Sequence, residues 1–464
     1  MVPYGTIFCK AHGIKCRSEV IEMNNELFET MPVPKAYMKL ALPVMMSSVL
    51  MLVYNMVDMY FIARTGNTNL VAGVAVCAPV FTFMIAVGDM LGLGGASVIS
   101  RLFGQRKDDD GKRLSVFCFL GSIVLGIVIG LVLFAVQGGM LKLLGASEET
   151  YEFARSYYIW IALGAPFIIF SLVPTNLLRT EGFASAAMVG SAIGSIVNMI
   201  LDPVFIFTLN MGAGGAAIAT VIGNIFADIY YFWFISAKSK KLSVSPKGFH
   251  ISSREIGSIL RIGIPSSITN LMQSVAVMLL NNFLLPYGSD KIAAYGIVSK
   301  VIMIVIMIMV AFSFGGQPLY GYLYGANNKT RMKEVLRFAY LLVCGLGVCL
   351  SVILFALAPH MIAFFLNDPA VIETGTPMLR MILAGMPFIG CTMVTTCVFQ
   401  STGKASGALA LSAGRQGYIY GVMLVVLSAI AGYTGVIAAQ PAADALSAVL
   451  AFFLYRKLVA PEIA

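Results

Sequence analysis

Long apolar runs separated by short polar connections leave this chain one kind of fold. They lie at about 38–64, 70–99, 114–137, 155–178, 185–209, 213–236, 257–285, 291–323, 335–358, 376–399, 405–430 and 434–456, and each reaches the roughly 20 residues a helix needs to cross a bilayer. Inside lipid every backbone N–H and C=O must be paired within the protein, so only helices or closed barrels span it. The alternating segments of about ten residues that mark a barrel are absent. The expected fold is therefore an all-α polytopic membrane protein of about twelve transmembrane helices, without a sizeable soluble domain. Composition agrees: of 464 residues 59% are hydrophobic and only 11% charged. Residues 1–30 are mixed and polar, so the first span is expected to direct insertion.

The formal charge of +9 does not indicate a nucleic-acid partner, because the basic residues sit in the connections between apolar runs. Arg101, Arg106, Lys107, Lys112 and Arg113 follow the second run; Lys238, Lys240, Lys241, Lys247 and Arg254 follow the sixth; Lys329, Arg331 and Lys333 follow the eighth. The alternate connections offer Arg64, Lys142 and Lys291 among the acids Glu148, Glu149, Glu152, Asp368 and Glu373. Positive charge collects on the cytoplasmic side, so a multi-pass protein of the cell membrane with both termini cytoplasmic is expected. The eight cysteines show no metal-ligand spacing and mostly fall in apolar runs, where they act as small packing residues.

The chain repeats itself. Leu-Ala-Leu-Pro43 matches Ile-Gly-Ile-Pro265 at an offset of 222 (265 − 43), while Gly104 matches Gly325 at 221 (325 − 104). Pro166 and Gly182 match Pro387 and Gly403, again at 221. Two six-helix lobes around a central cavity, related by a pseudo-twofold along the membrane normal, are the expected result. The boundaries read as a cytoplasmic extension over 1–36, lobes over 37–237 and 255–457, a cytoplasmic linker over 238–254 and a tail over 458–464.

One stretch carries the chemistry: N-M-I-L-D-P-V-F-I-F-T-L-N-M-G-A-G-G-A-A-I-A-T, residues 198–220. Asn198 and Asp202 share a helix face inside hydrocarbon, where an acid is costly and marks function by default. Pro203 frees a backbone carbonyl beside that acid. Counting inward from the outer end, Asp58 lies six residues below Arg64 (64 − 58), roughly 9 Å, and Asp202 and Thr220 fall at similar depths on their own runs. Tyr54 sits one turn below Asp58. These five residues are expected to face one cavity in the outer half of the first lobe as a proton or sodium site, since two neighbouring carboxylates cannot both stay charged cheaply without a cation between them. The alternative is that both acids stay neutral and serve only as hydrogen-bonded packing between helices.

Other intramembrane charges weigh less. Of Asp89, Asp228, Lys300, Arg415 and Asp444, some are expected to pair across helices or to reach an interface, and Lys300, Arg415 and Asp444, with Asn281 and Asn282, are candidates for lining a cavity in the second lobe. Asp108–Asp110 reads as a solvated charge run, and the glycines at 212–215 follow no strand, which excludes a nucleotide fingerprint.

At these residues the chain resembles the multidrug and toxic compound extrusion (MATE) family. The resemblance is carried by 198–207, by G-A-G-G-A-A-I-A-T at 212–220, by V-D-M-Y-F-I-A at 57–63 and by F-G-G-Q-P-L-Y-G-Y-L-Y-G-A-N-N at 314–328, and it covers residues 35–457. It implies twelve helices in two lobes and export of organic, cationic or amphipathic compounds against inward flow of protons or sodium ions. The branch resembling the DNA-damage-inducible F type implies an ion site at Tyr54, Asp58, Asn198, Asp202 and Thr220, with sodium as the one metal to consider there, and bending of the first helix at Pro43. The chain departs from the other large bacterial branch, which has an acid on the seventh helix where this chain offers Asn281 and Asn282. No cofactor, catalytic residue or ATP site is expected, and the partners are a small organic substrate and membrane lipid, with a monomer as the working unit. A lipid-linked sugar flippase is the alternative function, and a membrane enzyme a more distant one.

Overall fold

The computed structural model describes residues 26–246, 250–366 and 368–463; Cys9, Cys16 and Lys247 lie outside them. Each apolar run folds as helix, because a helix pairs its backbone groups internally. The first lobe comprises α1 (Val33–Arg64), α2 (Thr68–Val76) leading into α3 (Ala78–Gly104), α4 (Asp108–Ala135), the short α5 (Gln137–Leu143), α6 (Glu148–Thr180), α7 (Ala184–Pro203) and α8 (Gly212–Lys238). The second comprises α9 (Ser253–Leu284), α10 (Ser289–Gly315) with α11 (Gln317–Gly325), α12 (Lys329–Phe365), α13 (Pro369–Leu383) with α14 (Met386–Thr402), α15 (Ala405–Ala413) and α16 (Ile419–Leu458), after which the short α17 (Ala460–Ile463) ends the fold.

Among the described residues nine helices are long and apolar enough to cross a membrane, and α13 with α14, bent by 44°, makes a tenth. Two further stretches account for the remaining spans. The 32-residue α9 is itself long enough to cross the bilayer. Within α16, Gly432 adopts φ 55° and ψ −130°, a conformation that excludes a side chain and reverses the chain. A Cβ on Gly435 would therefore strike the carbonyl of Leu427, eight residues back (435 − 427), so α16 holds the end of one span and the whole of the next.

The lobes meet at the end that carries the basic connections. Tyr37 on α1 donates to the carbonyl of Phe312 on α10 at 2.8 Å and bonds Tyr320 on α11 at 3.1 Å. Ser97 on α3 donates to the carbonyl of Gln400 on α14, and Arg113 pairs with Glu255 across the lobes. The pseudo-twofold is visible in atomic detail: a Cβ on Gly104 would run into the carbonyl of Tyr322, and one on Gly325 into the carbonyl of Arg101, its repeat equivalent (322 − 101 = 221). Glycine at both positions lets two backbones touch, and the basic end is shut.

The segment before α1 belongs to this closure. Leu27, Phe28 and Met31 are buried, and the Phe28 ring stacks on Tyr322 at 4.7 Å between centroids. Glu29 pairs with Arg106 of the first lobe and accepts a 2.6 Å bond from the Tyr322 hydroxyl of the second, while Arg331 donates to the carbonyls of Phe28 and Met31. Thus one short segment ties both lobes, and the boundary drawn at residue 37 falls inside α1, which starts at Val33. Truncating a buried phenylalanine costs about 3–5 kcal/mol. Phe28→Ala is expected to lower the thermal midpoint of the detergent-solubilised protein by several degrees, and Phe28→Tyr by much less; equal midpoints would show that the segment is merely draped on the surface.

Candidate cation site and central hollow

Proline dictates the local shape of the site. Pro203 has no N–H to give Met199, and its ring crowds that carbonyl, so the last turn of α7 widens into a π-helical stretch, Val204–Thr208. The chain then turns back into α8. Asn198 and Asp202, one turn apart on α7, face Thr220 two turns into α8: the Asn198 amide nitrogen lies 3.4 Å from Asp202 Oδ1 and 3.3 Å from Thr220 Oγ1. From α1, the Asp58 carboxyl approaches Asp202 and the Tyr54 hydroxyl approaches Thr220. The structure therefore brings all five residues chosen by depth into one cluster.

Tyr157 on α6, not among the expected residues, flanks the cluster near Tyr54, Asp58 and Asp202. Only depth could have found it, since it lies nine residues in from the outer start of its helix at Glu148 (157 − 148).

Most of the cluster is shielded: Asn198, Asp202 and Thr220 are 2%, 0% and 4% exposed, while Tyr54 and Asp58 are half-buried. Asp58 Oδ1, Asn198 Oδ1 and Asp202 Oδ2 are buried without a hydrogen-bond partner. Buried acceptors left unpaired are costly, and three oxygens in one cluster fit a single positive ion, whether a proton shared between the carboxyls or a sodium ion with Thr220 Oγ1 as a further ligand.

Beside the cluster lies a hollow of about 480 Å³ between the lobes. Tyr54, Asn198 and Thr220 line it; Asp58 and Asp202 stand just behind them and are not part of the wall, which refines the expectation that all five face the cavity. Asp89 and Arg179 line the first-lobe side, and Ser266, Thr269, Gln273, Arg415 and Gln416 the second. A smaller hollow of about 260 Å³ within the second lobe is bordered by Lys300 and Arg415. Asp444 is fully buried behind Arg415, 3.2 Å away. Asn281 and Asn282 line neither hollow; they sit at the last turn of α9, where the Asn281 carbonyl caps the helix. Asp228 is buried on α8 with both oxygens unpartnered, whereas Arg415 and Asp444 form one of the pairs expected among these charges.

Pro43 interrupts α1 from within, so the Lys39 carbonyl loses the N–H that would reach it from residue 43, and Ser47 and Ser48 donate back to the carbonyls of Pro43 and Val44 at 3.0 and 3.1 Å. Such back-bonding loosens a helix next to a proline. One helix thus carries Tyr37 of the lobe contact, a weakened turn at Pro43, and Asp58 of the cluster.

The family profile named MatE matches twice, at residues 43–204 and 265–438. The chain belongs to the MatE family. Multidrug export protein MepA of Staphylococcus aureus (strain NCTC 8325 / PS 47) is 31% identical over 429 residues, spanning 92% of this chain and 94% of that protein. MepA of Staphylococcus haemolyticus (strain JCSC1435) is 30% identical over 432 residues, spanning 93% and 95%. A solved outward-facing conformation of a multidrug resistance MATE family transporter of the MOP superfamily shares the fold at a TM-score of 0.88, with 24% identity over 94% of this chain and 98% of that one. A MATE structure in the bent conformation superimposes at 0.89, also at 24% identity. Each of the two MatE matches opens on a helix-interrupting proline, Pro43 or Pro265, so the weak turn of the first span has a repeat partner on the seventh.

Proposed function

We propose that this protein is a secondary active antiporter that exports small amphipathic organic compounds in exchange for protons or sodium ions, with Asp58 and Asp202 as the ion site. One observation carries the reading: two carboxyls from different spans, Asp202 fully buried and Asp58 half-buried, approach each other, each with a buried unpartnered oxygen, behind polar side chains that line an interlobe hollow. A purely structural pair would have its acceptors satisfied.

The protein lies in the plasma membrane with the basic end and both termini inside, so the shut end is cytoplasmic and the hollow faces outward. An ion arriving between Asp58 and Asp202 draws α1 toward α7. Because the other end of α1 makes the lobe contact through Tyr37, a change of bend at Pro43 moves that contact. Ion and substrate bias the same rocking motion, and linkage requires that substrate weaken ion binding as much as ion weakens substrate binding. A single chain contains both lobes, so the working unit is a monomer.

The test is dye transport in inside-out vesicles with proton and sodium gradients imposed separately. Dye movement is expected under at least one gradient and none under ATP alone. Equal movement with both gradients collapsed would overturn antiport.

A further inference from the structure

The hollow within the second lobe is assigned no role by the ion site, yet its chemistry is distinctive. Its wall is mostly apolar, built from side chains such as Leu280, Met303, Met378 and Ile382, and among the described residues contains no Asp or Glu. Two cations border it. Lys300, on α10 well inside a membrane-spanning helix, is exposed and makes no ion pair among the described residues. Arg415 is 8% exposed, held in a π-helical stretch, Gly414–Tyr418, that breaks the regular turn. An intramembrane cation without a partner marks a ligand or pathway by default, and π-helical insertions gather at functional positions.

Asp444 does not neutralise the pair. It is fully buried on the far side of Arg415 and is also held by Gln440 at 3.2 and 3.3 Å, so it fixes the guanidinium rather than reaching Lys300. One positive charge therefore remains uncompensated at the hollow. The hollow also continues into the central one, since Gln273, Ile306, Arg415 and Gln416 border both. A ligand with its head here can extend its body toward the interlobe space.

We propose that this second-lobe hollow binds amphiphilic anions, molecules with one carboxylate or sulfonate head and an apolar body, the head placed by Lys300 and Arg415 and the body against the Met and Ile wall. An organic cation would meet two positive charges and no acid there, and a simple inorganic anion would leave the apolar wall wet. The division of charge follows: acids serve the coupling ion in the first lobe, and bases receive the acidic end of an amphiphile in the second. As a compartment of the transport path the hollow rests on the antiport reading; as a binding site it does not.

The test is equilibrium binding to the full chain in lipid nanodiscs, with no ion gradient, so that failure of antiport and failure of this site are separable. The probe is 11-(dansylamino)undecanoate, read by fluorescence and compared with the same chain bearing a trimethylammonium head; empty nanodiscs give the background. Saturable binding above that background is expected for the carboxylate, with the ammonium probe at least about tenfold weaker. Lys300→Ala should weaken carboxylate binding about tenfold, Lys300→Arg should restore it to within about twofold, and Met378→Trp should block it by filling the wall. Lys142→Ala, on the exposed α5, is the charge control and should leave binding unaltered. The proposal is overturned if the two head groups bind equally, if Lys300→Ala binds like the parent, or if binding does not exceed that of empty nanodiscs.

Discussion

Asp202→Asn is expected to reduce gradient-driven transport to the level of protein-free vesicles while the protein stays folded. Asparagine keeps the size of the side chain and can still meet the Asn198 amide, but it cannot take up and release a proton or offset a sodium ion. Asp58→Asn should do the same, and the double variant should be no worse than either single one, because the carboxyls act as one unit. Thr220→Ala is expected to be milder, weakening ion affinity about tenfold through loss of one oxygen ligand, a net 1–2 kcal/mol. Thermal midpoints separate this from a packing role. A buried acid with an unpartnered oxygen contributes little to stability, so its amide should melt at or above the parent temperature. If Asp202→Asn instead melted several degrees lower and transported at the parent rate, the pair would be structural.

The second large effect is expected at the shut end. Gly104 and Gly325 let the backbones near Tyr322 and Arg101 touch, and a leucine at either place cannot fit without parting the lobes. Overpacking of this kind costs about 1–3 kcal/mol, which moves a two-state equilibrium by roughly five- to 150-fold. Gly325→Leu should therefore populate the state that opens at the basic end. A cysteine placed at Ser97, whose hydroxyl now bonds across the lobes, would report it by reacting faster with a water-soluble thiol reagent than in the glycine parent. Unchanged labelling, with unchanged transport, would mean that these glycines are incidental to closure.

Much of this architecture was legible before any coordinates. Runs of apolar residues must become helices in lipid, so span number and length followed from hydrophobicity alone. The offsets of 221 and 222 predicted two alike lobes, and Gly104 and Gly325 turn out to face equivalent carbonyls. Helix rise is a constant, so counting inward placed Asp58, Asp202 and Thr220 at one depth. Depth is one coordinate of three, however. Counting could not tell which face of each helix turns toward the others, and so it overlooked Tyr157 and admitted Asn281 and Asn282 to a cavity they do not line.

The same limit explains the remaining surprises. The polar segment before α1 reads by composition as a cytoplasmic extension; its Leu27 and Phe28 are buried only because both lobes come together to receive them. That Asp58 and Asp202 stand behind Tyr54, Asn198 and Thr220, and that Lys300 shares a hollow with Arg415, depends on helix rotation and on distant chain segments meeting. Membrane span, lobe number and the depth of each charge were properties of the sequence, because they follow from local hydrophobicity and a fixed rise per residue. Which charges meet, which are screened and which end of the molecule is shut were decided by tertiary packing alone, since they depend on side-chain fit between helices that no local pattern encodes.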